Sequence, residues 1–329
     1  MKIEKEQKIH SASKVDKYRI IDLFAGIGGI RLGFEQAFGE KQKFVFASEI
    51  NTFAQKTYLA NFGEKPFGDI TKVDENDIPK FDILLAGFPC QPFSNAGLKK
   101  GFEDSRGTLF FDIARIVKHH QPQVIFLENV KAFRNHNKGN TYKVVETTLK
   151  NLGYSVYSQV LNAKDFGVPQ NRERIYIIAF LDNVEFVFPT PLKHKTKLGN
   201  ILEVDTDPKY TISNRLWEGH QRRKIEHKEK GNGFGYSLFN EDSEYTSTIS
   251  ARYYKDGSEV LVAQKNANPR KITPREAARL QGFPEDFFIA VSDTQAYKQF
   301  GNSVSVPVIK AIAKSIYNSL LKQQINDNQ

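Results

Sequence analysis

Cys90 is the only cysteine in 329 residues, and it follows an apolar run, residues 81–87, that predicts a buried strand. A single thiol cannot form a disulfide within the chain. It becomes a nucleophile where neighbouring groups favour the thiolate, whereas most free cysteines are small buried hydrophobes. Its position just past a strand and directly after Pro89 favours a presented side chain. The pattern predicts a candidate nucleophile whose partners must come from elsewhere in the fold.

A glycine-rich turn, residues 24–29 (Phe-Ala-Gly-Ile-Gly-Gly), joins the first predicted strand to the first predicted helix. Glycines there let a ligand approach the backbone, and the helix N-terminus offers free N–H groups. Glu49 ends the next strand, at the spacing where an acidic residue meets ribose hydroxyls. Asp69 follows as a candidate acceptor for an adenine amino group. This set predicts an adenosine-containing cofactor, and it fits NAD and S-adenosylmethionine equally.

Two further motifs carry acid and cation chemistry. Glu128 follows another apolar strand, so a parallel sheet would place it at the same edge as Cys90 and the glycine-rich turn. A carboxyl group beside a thiol suits acid catalysis on a ring nitrogen, although a helix cap is an ordinary alternative. Arg172 and Arg174 have the same parity, so both face one side of a strand. One guanidinium would hold the carbonyl oxygen of a base and the other a phosphate or Glu128, with surface solvation as the alternative.

The elements that must position these residues alternate between strand and helix. Apolar runs predict strands at 18–24, 44–49, 81–87, 123–128, 154–161 and 174–180. Helical spacing predicts helices at 30–38, 52–61, 109–119, 141–152, 273–281 and 306–321. Nearly continuous apolar strands between helices indicate an α/β fold whose mostly parallel sheet is covered on both faces.

The alternation stops between about residues 188 and 270, where prolines, lysines and Asn-Gly or Asp-Gly pairs accumulate. The only helical pattern there is a charged stretch at 217–230, typical of a solvated helix. We therefore expect a smaller, irregular, strand-containing domain. The predicted division is a catalytic and cofactor-binding domain at 1–186 plus 300–329, with the small domain at 187–299.

The net charge of +9 and the pI near 9.3 favour an anionic partner, and nucleic acid is the first candidate. A solvated basic surface is the alternative. The segment 187–275 carries 16 basic and 11 acidic residues, more than half of the excess. Residues 1–17 lack the apolar core of a secretory signal, and no stretch is long enough to span a membrane. One cysteine and no export signal predict a reducing cytoplasm, and one cysteine makes a metal site unexpected.

Together these motifs resemble the C5-cytosine DNA methyltransferase family, because they recur in that family's order. The resemblance spans about residues 18–320 and is weakest at 187–230. Its motifs are residues 22–29, 89–91, 128–130, 170–174, 270–276 and 299–304.

The resemblance implies an S-adenosylmethionine-dependent, Rossmann-like fold with a target-recognition domain, and it implies catalytic roles. Cys90 would attack C6 of cytosine while Glu128 holds or protonates N3, which makes C5 nucleophilic toward the methyl group. Arg174 would contact the cytosine O2, Arg172 would support the site, and Asn129 would order the loop around Glu128.

The resemblance also implies the cofactor-binding residues. Phe24 would pack on the adenine, Glu49 would bind the ribose, and Asp69 with Ile70 would contact the adenine. Many members carry a bulky aromatic at the position of Ile50, so we expect weaker stacking on that side. The remaining predicted cofactor residues are Ala25, Gly26, Gly28, Gly29, Ile50, Pro89, Asn302, Ser303 and Val304.

The family acts on duplex DNA and flips its target base, at a cost of a few kcal/mol. Residues 94–106 resemble the loop that closes over the flipped base. Segments 231–236 and 246–257 resemble those of enzymes whose sites begin CC and end GG, and a hairpin with cross-strand aromatics is the alternative. The predicted target is the inner cytosine of CCGG or CC-N-GG. The predicted DNA contacts are Ser94, Lys99, Lys100, Arg106, Thr248, Arg252, Tyr253 and Lys255.

Three alternatives stay open at this point. A nicotinamide-dependent oxidoreductase with a catalytic cysteine fits the glycine-rich turn, but it gives Asn302 and Arg275 no role. A DNA-binding protein that has lost catalysis is disfavoured by Cys90 and Glu128. A tRNA methyltransferase is disfavoured by the segment 231–257. By resemblance we expect a cytoplasmic bacterial monomer, associated with the nucleoid through DNA and paired with a separate restriction endonuclease.

Overall fold

The computed structural model describes residues 17–89, 109–192, 195–233 and 235–327. Its main sheet has six strands in the order β2-β1-β3-β4-β6-β5. The strands are β1 Tyr18–Leu23, β2 Gln42–Ser48, β3 Ile83–Gly87, β4 Val124–Val130, β5 Ser155–Asn162 and β6 Glu173–Phe180. Strands β1 to β4 are parallel to one another, and β6 is antiparallel to both β4 and β5. The predicted mainly parallel α/β fold is confirmed.

Helices cover both faces of this sheet. Four helices do so, α1 Gly29–Phe38 and α8 Val306–Asp327 on one face and α3 Leu109–His120 and α4 Asn140–Asn151 on the other. The other described helices are α2 Thr52–Phe62, α5 Asn214–Glu229, α6 Pro274–Leu280 and α7 Asp293–Asn302. Strand alternation sends Ile20 and Ile83 toward α1 and α8, and Ile21 and Leu84 toward α3 and α4. The two faces therefore bury two separate apolar layers that hold the strand ends in place.

Helices α1 and α8 pack closely because Gly33 has no side chain. A Cβ at this position would lie 2.6 Å from two side-chain carbons of Ile309. The glycine thus lets the last helix of the chain lie directly on the first, which brings the residues just before α8 close to the glycine-rich turn.

A second sheet of three short strands contains β7 Leu238–Phe239, β8 Leu261–Gln264 and β9 Ala267–Lys271. It belongs to a third apolar layer in which Ile249 and Val260 pack with Ile27 and Phe300. The charged stretch predicted as a solvated helix is α5, in which only His220 is buried. Residues of the segment 187–299 thus share a core with Ile27, which precedes that segment, and with Phe300, which follows it.

Helix α7 was not among the predicted elements. Its buried residues Ala296, Tyr297 and Phe300 follow helical spacing, but the segment is short and its C-terminal half overlaps the motif at 299–304. Within the described ranges, no helix is both long and apolar enough to cross a membrane.

Candidate active site

The carboxyl ends of β3 and β4 meet at one edge of the sheet, because Gly87 pairs with Glu128 in the parallel register. Cys90 lies outside the described residues, three positions after Gly87. The chain that leads to it is held by Asn129, whose buried amide donates to the carbonyl of Phe88 at 2.8 Å. The carbonyl oxygen of the same side chain accepts from Val130 N at 2.9 Å. Asn129 therefore fixes the approach to Cys90 against the strand that carries Glu128.

Glu128 and Arg174 form the polar centre of this edge. The antiparallel register of β4 and β6 places them on the same face, and Arg174 Nε lies 3.3 Å from Glu128 Oε1. Both side chains are mostly buried, with 12% and 15% of their surface exposed. A Cβ at Gly87 would lie 3.5 Å from Glu128 Oε2, so the glycine leaves space beside this carboxyl group.

Burial raises the pKa of Glu128, and the positive charge of Arg174 opposes that increase. A carboxyl group with a raised pKa holds its proton closer to neutral pH, as a general acid must. The arrangement suits protonation of, or hydrogen bonding to, a ring nitrogen placed next to the guanidinium.

Arg172, despite its parity with Arg174, donates its hydrogen bonds to backbone carbonyls and not to Glu128. It is 2% exposed and donates to the carbonyl oxygens of Ile249, Gly301 and Ser303. Burial, followed by the charge of Arg174, lowers its pKa to about 9. Its geometry is that of a residue that supports the site rather than one that reaches a substrate.

The glycine-rich turn lies at the same edge, between β1 and α1. Phe24, Gly26 and Gly28 have φ values of +56°, +55° and +82°, the left-handed region that favours glycine. A Cβ at Gly28 would lie 2.2 Å from the ring of Phe62, whereas Gly26 faces open space. Helix α1 has no side-chain cap at its N-terminus, so its first N–H groups can meet a ligand.

Glu49 fixes this turn to the end of β2. Its two oxygens accept from Gly26 N at 2.8 Å and Asn51 N at 2.7 Å. A carboxylate has about four acceptor positions, so it can still accept from two hydroxyl groups of a ribose. The geometry suits the predicted role of Glu49.

The other predicted cofactor residues divide by exposure. Hydrogen bonds from the hydroxyl and then the N–H of Thr71 lower the pKa of Asp69, which keeps this carboxylate ionised. Ile50 is 69% exposed and Phe24 is half-buried, whereas Ile70 is 3% exposed. Pro89 is exposed and Ala25 is buried.

The motif at 299–304 reaches the turn from the other end of the chain. A Cβ at Gly29 would lie 2.7 Å from Ser303 Oγ and 3.0 Å from Val304 Cγ2. Asn302 is exposed beside them. The fold thus brings together predicted cofactor residues that are more than 250 positions apart.

The predicted DNA contacts are only partly placed. Ser94, Lys99, Lys100 and Arg106 lie outside the described residues. The hydroxyl of Thr248 donates to Asn171 O at 2.6 Å. Beyond it, Arg252 and Lys255 are exposed on a turn.

Tyr253 corrects a prediction. It is fully buried, its hydroxyl donates to Val260 O at 2.6 Å, and the same oxygen accepts from Ile272 N at 2.9 Å. The residue anchors the turn from inside, and its side chain offers no surface to a ligand. Successive residues in a turn project in different directions, so the sequence neighbours of Arg252 need not share its exposure.

Sequence reasoning missed Asp22, which lies beneath the glycine-rich turn. It is fully buried, and neither carboxylate oxygen makes a hydrogen bond within the described part of the chain. Burial raises its pKa to about 8; the charge of Arg31 opposes this, while Glu49 and Glu35 add to it. The signal was an acidic residue inside an otherwise apolar strand.

This carboxyl group predicts a pH-dependent stability. Its folded pKa lies above the unfolded value of 3.8, so its contribution to stability is lost as pH rises from about 4 to about 8. We expect Asp22→Asn to gain stability relative to the wild type over that window, by more than about 1.4 kcal/mol, the value of one pKa unit. Urea unfolding of the cofactor-free protein at several pH values measures it. Asp77→Asn, at an exposed position, is the control, and parallel pH profiles for wild type and Asp22→Asn would contradict the assignment.

Comparison with known proteins gives one consistent family. The family model for C-5 cytosine-specific DNA methylases matches residues 18–318. Type II methyltransferase M1.ScrFI of Lactococcus lactis subsp. cremoris is 63% identical over 316 residues, which cover 94% of this chain and 81% of that protein. Type II methyltransferase M.NlaX of Neisseria lactamica is 62% identical, over 92% of this chain and 97% of its own length. M.HpaII of Haemophilus parainfluenzae is 46% identical, over 93% and 90%.

Solved structures share the fold. The crystal structure of the S. pombe Dnmt2 methyltransferase matches with a TM-score of 0.75 at 23% identity, covering 94% of this chain and 100% of that one. The Entamoeba histolytica methyltransferase EhMeth matches with a TM-score of 0.72 at 22% identity, covering 95% and 99%.

Proposed function

This chain belongs to the C-5 cytosine-specific DNA methylase family, as an enzyme of the restriction-modification type, and from that premise we propose how it methylates cytosine and where. The proposed reaction transfers a methyl group from S-adenosylmethionine to C5 of a cytosine flipped out of duplex DNA. It proceeds through a covalent bond between Cys90 and C6. The observation that carries the proposal is the buried Glu128–Arg174 pair, at the sheet edge where β3 leads toward Cys90.

The residues at this edge divide the work. The thiolate of Cys90 adds to C6, while Glu128 holds a proton at N3 so that electron density moves toward C5. Arg174 holds O2 of the ring and keeps it beside Glu128. C5 would then take the methyl group, with S-adenosylhomocysteine as the leaving group. Loss of the C5 proton to a base, return of the N3 proton to Glu128 and expulsion of the thiolate restore the aromatic ring. Addition of sulfur is needed because C5 of an intact cytosine is a weak nucleophile.

The cofactor edge fits S-adenosylmethionine. A charged nucleoside needs room beside the backbone, hydrogen-bond donors and acceptors. This edge offers open space at Gly26, the uncapped N-terminus of α1 and the free acceptor positions of Glu49. Glu49 would hold the ribose, Asp69 the adenine amino group, and Phe24 with Ile50 the faces of the ring. When bound, this cofactor supplies an electrophilic methyl group. The segment 302–304 closes the same edge.

We assign residues 187–299 to target recognition and residues 1–186 with 300–329 to catalysis and cofactor binding. Among the described residues, the proposed DNA contacts are Thr248, Arg252 and Lys255. Arg and Lys side chains pair well with the edges of guanine. Ser94, Lys99, Lys100 and Arg106 are proposed to close over the flipped base and meet phosphates.

The proposed target is the inner cytosine of CCGG or CC-N-GG, and bisulfite sequencing of DNA from an expressing host tests it. We expect every methylated cytosine to be preceded by C and followed by GG, either directly or after one intervening nucleotide. Methylation at cytosines without these neighbours would refute the target. An absence of methylated cytosine would refute the function itself. A host that carries the Cys90→Ala variant is the control for background methylation.

The remaining proposals concern partners. The enzyme acts as a monomer in the cytoplasm of a bacterium, associates with the nucleoid through its DNA substrate, and protects DNA from a separate endonuclease. It needs no metal, so methyl transfer should be unchanged in a chelator such as EDTA.

A further inference from the structure

One residue of the target segment, Ile249, is held at both its backbone N–H and its carbonyl by buried side chains from the segment before β6. Gln170 Oε1 accepts from Ile249 N at 3.2 Å, and Arg172 Nη1 donates to Ile249 O at 3.1 Å. Gln170 is fully buried and Arg172 is 2% exposed. Hydrogen bonds at such depth are expensive to leave unmade, so the position of the Ile249 backbone is strongly determined.

The same two side chains also hold two further segments, Gln170 the end of α6 and Arg172 the end of α7. Gln170 Nε2 donates to Leu280 O and to Gln281 Oε1, both at 3.1 Å. The amide of Gln281 continues the chain of bonds to Phe300 O at 2.7 Å. Arg172 donates to Gly301 O and Ser303 O. Three segments that are far apart in sequence therefore meet at Gln170 and Arg172, a set of contacts we call the three-way joint.

Gly301 lets the backbones at this joint touch. A Cβ there would lie 2.2 Å from Ser250 O and 2.5 Å from Ala251 N. Because these are backbone atoms, no side-chain rotation could relieve the overlap. Main-chain bonds reinforce the arrangement on the other side, where Thr246 N donates to Pro169 O and Asn171 N donates to Thr246 O.

The joint lies between the two halves of the proposed site. Arg174 follows Arg172 by two residues and pairs with Glu128, while Thr248 immediately precedes Ile249 and Arg252 follows it. Any shift of the Ile249 backbone would therefore change the distance from the target-reading turn to the Glu128–Arg174 pair.

We propose that Gln170 and Arg172 are positioning residues that fix the target segment 246–257 relative to Glu128 and Arg174, so that a correctly read site also delivers its cytosine in the correct alignment. The inference rests on the proposed function, because it takes that segment to be the one that reads DNA. Misplacement of a reacting group by about 1 Å can cost about 100-fold in rate. Loosening the joint should therefore lower turnover while leaving most of the DNA-binding surface intact.

The test compares Gln170→Met, Arg172→Met and Gly301→Ala with the wild type on duplexes that carry CCGG and CC-N-GG. Gly301→Ala displaces the Ser250 backbone and removes no side-chain hydrogen bond, so it moves the same segment by an independent route. Arg279→Met is the control, because Arg279 donates to Ile201 O and pairs with Glu285, and its side chain bonds to none of the segments of the joint. Turnover is expressed per molecule that binds S-adenosylmethionine by calorimetry, which removes any unfolded fraction from the comparison.

We expect kcat to fall by about 10- to 100-fold in the three variants. The KM for the preferred duplex should change by less than about threefold, a small difference in binding free energy. The ratio of kcat/KM for the preferred duplex to kcat/KM for a duplex with one altered outer base pair should fall. Arg172→Lys keeps the charge but not the forked geometry, so it should behave like Arg172→Met.

Each contrary result is decisive. If Gln170→Met and Gly301→Ala have the same kcat per cofactor-binding molecule as Arg279→Met, the positioning role of the joint is refuted. If total activity falls only because fewer molecules bind the cofactor, the joint has a structural role alone, and the proposal is refuted as well. Full activity of Arg172→Lys would show that charge, not position, matters. In all these cases the wild type still methylates cytosine, whereas failure of the proposed function would appear as no methylation by the wild type.

Discussion

Cys90→Ser is expected to lower methyl transfer by about 10⁴-fold or more, the scale of loss when a covalent nucleophile is removed from an enzyme. A serine hydroxyl has almost the same shape but is hardly ionised near neutral pH, so it cannot add to C6. Without that addition, C5 stays too weak a nucleophile to take the methyl group. Binding of duplex DNA and of S-adenosylmethionine should persist, because neither depends on the thiol.

Two measurements check this result. Transfer of a labelled methyl group measures turnover, and a duplex that carries 5-fluorocytosine at the mapped site should become linked to the intact enzyme in the presence of methyl donor. Fluorine cannot leave as a proton does, so the adduct is trapped. Because Cys90 is the only cysteine, any thiol-linked product identifies it without further mapping. Turnover by Cys90→Ser, or a wild type that never forms the adduct, would contradict the assignment.

The sheet and its catalytic edge could be predicted because their signals are local. Buried parallel strands are nearly continuous apolar runs, and the polar residue that ends each run marks the edge where ligands bind. Glu128 and Asn129 were found in this way, and so was the turn that contains Gly26. The antiparallel direction of β6 was not predicted, because a strand's own sequence does not record which way its neighbour runs.

The contacts that define the joint could not be predicted for a different reason. Parity placed Arg172 and Arg174 on one face, but only the fold shows that Arg174 reaches Glu128 while Arg172 is occupied by Ile249, 77 residues later. Tyr253 shows the same limit, since its burial depends on Val260 and Ile272. Backbone acceptors carry no sequence signature, so a side chain that binds them looks the same as one that faces solvent.

Glu128→Gln is the second change with a large expected effect, a fall in kcat of about 10²- to 10⁴-fold, the usual range for loss of a general acid. Glutamine keeps the size of the side chain and can still hydrogen bond to N3, but it cannot supply a proton. The KM for DNA should change little, because Arg174 and the target segment remain. Glu173→Gln is the matched control, since that nearby carboxylate is only partly buried and pairs with Lys131 at 2.8 Å. We expect the control to keep nearly full turnover.

The pH profile separates proton transfer from simple hydrogen bonding. If the protonated carboxyl is the active form, kcat of the wild type falls on the alkaline side as Glu128 ionises, and burial moves that fall to higher pH than for a free glutamic acid. Glu128→Gln has no such group and should lose this limb. Arg174→Met removes the charge that opposes the raised pKa, so its residual activity should fall at higher pH than that of the wild type. An alkaline limb that survives in Glu128→Gln, or moves to lower pH in Arg174→Met, would assign the proton to another group and leave Glu128 with hydrogen bonding alone.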